Sequence, residues 1–119
     1  MDSSDEVGNG NKEAQISAAL ERLWVRFLPE TRARVEILEA AALALSGGTL
    51  SPTQRDSAAS AAHKLAGTLG TFSLARGTIV ARELEQLYGS GDGPSPEIAA
   101  QLARELREMV EGRAMSAAS

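Results

Sequence analysis

Residues 51–72 read SPTQRDSAASAAHKLAGTLGTF. Ser51 is suited to cap a helix, Pro52 fits its first position, and Gln54 completes a capping box. Ala58, Ala62, Leu65, Leu69 and Phe72 then recur at helical spacing. The segment therefore predicts one long helix with a single apolar stripe.

The neighbouring segments repeat this pattern. Upstream, Ile16, Leu20, Leu23 and Phe27 mark a helix over about 12–28, widened by Trp24. Pro29 is expected to interrupt it, because proline donates no N–H and disfavours helix at the residue before it. A further helix is expected over about 30–45, with Val35, Leu38, Ala42 and Leu45 facing inward and Gly47-Gly48 ending it. Downstream, Ala81, Leu84, Leu87 and Tyr88 define a helix over about 74–88. Gly89 to Gly93 is a turn cluster, and Ser95-Pro96 opens a last helix with Ile98, Leu102, Leu106 and Met109 as its core positions.

The expected architecture is all-α: an up-and-down antiparallel four-helix bundle with an additional short N-terminal helical segment. The helical bundle should occupy 12–112. Residues 1–11, rich in Ser, Asp, Gly and Asn, and residues 113–119 read as flexible tails.

Composition narrows the chemistry. The chain has 119 residues, enough for one hydrophobic core, and no cysteine, so disulfides and cysteine-based zinc sites are excluded. It has one histidine, so no site built on several imidazoles forms within one chain. A net charge of −4 disfavours nucleic acid as a partner. The apolar runs are too short for a membrane span and the N-terminus is acidic, unlike a secretory signal. A cytoplasmic monomer is expected.

On a helical wheel turning ~100° per residue, His63 points away from the Leu65, Leu69 and Phe72 stripe. Its surroundings on the outer face are small: Ala59 and Ser60 one turn before, Ala66 and Gly67 one turn after, Gly70 beyond. Glycine inside a helix costs about 1 kcal/mol relative to alanine. Close approach by another surface would account for that cost; fraying near the helix end is the alternative explanation of the two glycines. A lone surface histidine usually has no function, but this one is presented without steric cover.

The run Ala61-Ala62-His63-Lys64-Leu65-Ala66-Gly67-Thr68-Leu69-Gly70-Thr71-Phe72 resembles the signature of the histidine-containing phosphotransfer (HPt) domain family. There an aliphatic residue stands two positions after the histidine and a glycine four after it. Downstream, Ala81-Arg82-Glu83-Leu84-Glu85 is similar to the family's next helix, which ends in a Leu-Glu pair. The resemblance spans about 20–110 and is motif-grade over 58–87.

The resemblance implies that His63 accepts a phosphoryl group and returns it to aspartates of receiver domains, in response regulators or hybrid sensor histidine kinases. It implies no cofactor of the chain's own, with Mg²⁺ supplied by the receiver. Lys64, Ala59, Ser60, Ala66, Gly67 and Gly70 are the residues expected to assist or dock. No G-x-x-x-x-G-K-[ST] loop occurs, so no ATP-dependent kinase activity is expected. Two positions depart from the family pattern. Ala66 stands three residues after the histidine, where Lys or Arg is common, and a lysine instead follows directly as Lys64. Ser73 stands where the family often has glycine.

Competing readings are a non-catalytic helical interaction module, whose small-residue face docks a partner without phosphotransfer, and a hydrolase using His63 as base. The hydrolase lacks a G-x-S-x-G elbow. A metal shared between two chains would need further carboxylates, since Asp56, the nearest acid on the His63 face, is two turns away.

Overall fold

A computed structural model describes residues 2–90 and 95–118, with side chains over 11–90 and 95–116. The described residues form four helices: α1 (Asp2–Ser46), α2 (Pro52–Thr71), α3 (Ala75–Gly89) and α4 (Pro96–Ala118). Each packs on its neighbour in sequence, and α4 closes the ring against α1. Antiparallel order is visible in the long side chains that cross between helices. Arg107 reaches Glu39, Arg32 reaches Glu111, and Arg113 reaches Glu21, so α4 descends as α1 rises. No helix among the described residues is long and apolar enough to cross a membrane.

The largest departure from expectation is at Pro29. The N-terminal segment is not a separate helix but continues into the next, so the five expected helical stretches become four helices. Leu20, Trp24, Leu28, Thr31, Val35, Leu38 and Ala42 are half-buried or buried at steps of three and four, and form one seam through the proline. An interior proline costs about 3 kcal/mol. Burying the Trp24 ring alone contributes on the order of 4–6 kcal/mol. Keeping one helical phase lets Trp24 and Val35 both reach the core, so packing wins over the lost hydrogen bond. Thr31 is tolerated in the seam because its hydroxyl donates to the Phe27 carbonyl at 2.8 Å.

The same seam corrects the N-terminal stripe. Ile16 (60% exposed), Leu23 and Phe27 lie outside the core, and Trp24, about 100° around the helix from Leu23, takes the inner place. The Trp24 ring meets Phe72 edge-on at 5.2 Å, joining α1 to the end of α2, and the Arg113 guanidinium covers it at 5.2 Å. Residues 113–118, in the stretch expected as a tail, continue α4 to Ala118, and α1 likewise reaches back to Asp2; Ser119 lies outside the described residues. On α4 the inner positions are Ala99, Leu102, Ala103, Leu106 and Val110, whereas Ile98 is exposed. The stripes expected on α2 and α3, and over 35–45, are buried or half-buried as read.

The helix ends follow the local chemistry. The Ser51 hydroxyl accepts from the Gln54 N–H, and the Gln54 side chain accepts from the Ser51 N–H, closing the capping box. At the end of α1, Gly48 is left-handed (φ 71°), with Thr49 N–H donating to the Ala44 carbonyl and Gly48 N–H to that of Leu45. This is a Schellman turn. Ser73 makes the same turn after α2, with φ 61°; Leu74 N–H donates to Leu69 and Ser73 N–H to Gly70. At the far end of α3, Arg55 donates to the carbonyls of Tyr88 and Ser90, placing a cation where the helix leaves carbonyls unpaired. Of the turn cluster that follows, 91–94 lie outside the described residues.

Candidate functional site

His63 stands mid-way along α2 with 72% of its side chain exposed. The outward placement follows from helix phase, since Ala62, Leu65 and Leu69 of the same helix are wholly buried. The ring is nevertheless not free to turn. Its Nδ1 lies 2.8 Å from Oε2 of Glu85 on α3. An ionised carboxylate only accepts, so Nδ1 carries the proton and donates. In the neutral ring Nε2 then keeps its lone pair, and Nε2 makes no hydrogen bond with any described residue. The carboxylate fixes both the tautomer and the ring orientation.

The other expected site residues divide into three groups. Ser60, Lys64 and Gly67 are exposed, and Ala59 is half-buried. A Cβ at Gly67 would meet nothing within 4 Å, so this glycine leaves open space one turn from His63. Lys64 lines a groove between α1 and α2 with Phe27, Glu30 and Arg34, on the flank away from α3.

Ala66 needs correction as an outer-face residue, whereas Gly70 is exposed as read. Ala66 is buried, at 7% exposure, rather than standing on the outer face. A Cβ on Gly70 would lie 3.6 Å from the Thr78 hydroxyl of α3. That is an ordinary contact distance, and it places Gly70 beside α3. The two helices pack closely at Gly77 of α3, because a Cβ there would fall 2.9 Å from Cδ1 of Leu69. That tight seam is what brings Glu85 within reach of His63.

Glu85 is the partner of His63 that sequence reasoning left without a role. Its signal was present in the Leu84-Glu85 pair, but the register of α3 on α2 was needed to see that it meets the imidazole. Among the described residues, no group of three or more His, Cys, Asp or Glu side chains forms a metal site.

The Hpt domain model matches residues 22–114, and the chain belongs to the Hpt domain family. That membership gives it, in general terms, a phosphotransfer role in phosphorelays. It is also similar to Protein RcaC of Microchaete diplosiphon, with 35% identity over 87 residues. Those residues are 73% of this chain and 13% of that relative, so the chain spans a small fraction of its length. No solved structure matches.

Proposed function

We propose that the chain is a phosphorelay intermediate that accepts a phosphoryl group on Nε2 of His63 from a receiver aspartate and passes it to another. The observation that supports this most is the His63–Glu85 pair, which in the neutral ring holds the proton on Nδ1 and leaves the lone pair on Nε2 of an exposed side chain.

The neutral imidazole attacks the phosphorus of an aspartyl phosphate through the Nε2 lone pair. The N–P bond forms, the P–O bond to the aspartate breaks, and the aspartate departs as a carboxylate. The proton on Nδ1 stays in place. Glu85 faces the positive charge that develops on the ring, and its attraction grows as the bond to phosphorus forms. The reverse step regenerates neutral His63.

The receiver brings the Mg²⁺ that offsets charge on the transferring oxygens. This chain contributes the positioned ring and the open surface around Gly67, and no nucleotide chemistry of its own. Receivers of response regulators or of hybrid sensor kinases fit the role. We expect a monomer acting in the cytoplasm, where aspartyl phosphates of receivers are formed.

Incubation with a receiver phosphorylated on its aspartate, followed by recovery of acid-labile label on this chain, tests the reading. Label should pass to the wild type and not to His63→Gln. Equal labelling of the two would overturn it.

A further inference from the structure

The position three residues after His63 is an alanine, so the His63 helix supplies no cation there. The structure brings one to the same level from α3. Two cross-helix approaches fix the register: His63 Nδ1 to Glu85 Oε2 at 2.8 Å, and the Gly70 Cβ position to the Thr78 hydroxyl at 3.6 Å. In an antiparallel pair each step up α2 is a step down α3. Counting inward from either pair, Ala66 lies level with Arg82. Thr78, Arg82 and Glu85 recur at steps of four and three along α3, so Arg82 shares the stripe whose two other members face α2.

Arg82 is exposed. It makes no hydrogen bond or ion pair with any described residue. Level with it on α2 stands Ala66, whose side chain is a single methyl, so no long side chain at that level blocks its passage over α2. The level of Ala66 is about 4.5 Å along the axis from His63, within the span of an extended arginine. The carboxylate of Glu85 is engaged by Nδ1, which leaves the guanidinium uncommitted. Lys64 and Arg34 line the α1–α2 groove on the opposite flank.

We infer that Arg82 is the residue that holds the phosphoryl group on phosphorylated His63, reaching it from α3 over Ala66. This rests on the phosphotransfer reading above. A planar guanidinium donates two parallel hydrogen bonds to phosphoryl oxygens. It also offsets the repulsion between the incoming phosphoryl group and Glu85. The shortness of Ala66 belongs to the same device, because a long side chain there would occupy the path of Arg82.

The test phosphorylates wild type, Arg82→Ala, Arg82→Lys and Lys64→Ala with phosphoramidate and, separately, with a phosphorylated receiver. Phosphorus NMR against pH reads the phosphoryl group's own second ionisation. The phosphoryl share at equilibrium with the receiver is measured alongside. In Arg82→Ala the ionisation should move up by about 0.2–0.7 pH unit and the share on His63 should fall about two- to fivefold, the range for an exposed charge pair. Arg82→Lys should recover part of both, and Lys64→Ala should change neither. Circular dichroism should be unaltered, because Arg82 is exposed. Labelled Arg82→Ala with wild-type ionisation and share, or the shifts appearing in Lys64→Ala instead, would overturn the role of Arg82 alone. A wild type that takes no label from either donor would overturn the phosphotransfer reading itself.

Discussion

Glu85 on α3 accepts a hydrogen bond from His63 Nδ1 across the α2–α3 seam, at 2.8 Å. That one contact joins fold to chemistry. It depends on the close approach of the two helices at Gly77, where a Cβ would fall 2.9 Å from Cδ1 of Leu69. It also decides which ring nitrogen is left for reaction.

Glu85→Ala is therefore expected to slow phosphoryl acceptance while leaving the fold intact. The loss of a charge-assisted hydrogen bond that strengthens as the ring gains charge should reduce the rate about tenfold. Rapid-quench transfer from a phosphorylated receiver measures this. Nitrogen NMR of the unphosphorylated variant should show His63 as a mixture of tautomers, where the wild type shows the Nδ1–H form alone. An unchanged rate would make the contact merely structural.

Gly67→Arg should lower the transfer rate with little effect on melting, because the added side chain enters open space beside His63. Gly67→Ala should transfer normally and gain up to about 1 kcal/mol in stability from helix propensity. Gly70→Arg is expected to differ, since its side chain starts against Thr78 and would disturb the α2–α3 seam. Thermal melts with parallel transfer assays separate the two glycines. Normal transfer in Gly67→Arg would remove Gly67 from the docking surface.

Ser73 holds a left-handed conformation at φ 61° in the turn after α2. A side chain there costs roughly 1–2 kcal/mol, while glycine brings back about 0.5–1 kcal/mol of unfolded-state entropy. Ser73→Gly should therefore stabilise by about 0.5–1 kcal/mol and raise the Tm by roughly 2–6 °C. A lower Tm would contradict this account of the turn.

Acid should weaken the α1–α4 pairing. Hydrogen bonds from Arg32, then burial acting the other way, then Arg107 leave the Glu111 carboxyl below its ordinary value of 4.5. A depressed carboxyl contributes stability that is complete above its unfolded value and is lost as pH falls through the folded one. The Tm of the wild type should thus drop below about pH 4.5, and Glu111→Gln should show a shallower drop from a lower starting point. Parallel curves would show that the pair adds nothing to this dependence.

The helix of His63 was legible because its signals are local. Ser51, Pro52 and Gln54 fix its start, and the stripe from Ala58 to Phe72 fixes its phase and so the outward face of His63. The continuity of α1 was not legible, because Pro29 carries a strong local signal that only tertiary burial of Trp24 and Val35 outweighs. The placement of Ala66 failed for a related reason. A wheel separates inside from outside for one helix, yet Ala66 is covered by a second helix whose position the wheel does not contain. Glu85 and Arg82 likewise gain meaning only from the register of α3.

The most direct measurement is nitrogen–phosphorus NMR on the phosphorylated chain, uniformly labelled with nitrogen-15. The account predicts phosphorus bonded to Nε2 of His63, with Nδ1 still protonated and its proton signal shifted by the Glu85 carboxylate. Phosphorus on Nδ1, or on any residue other than His63, would contradict it.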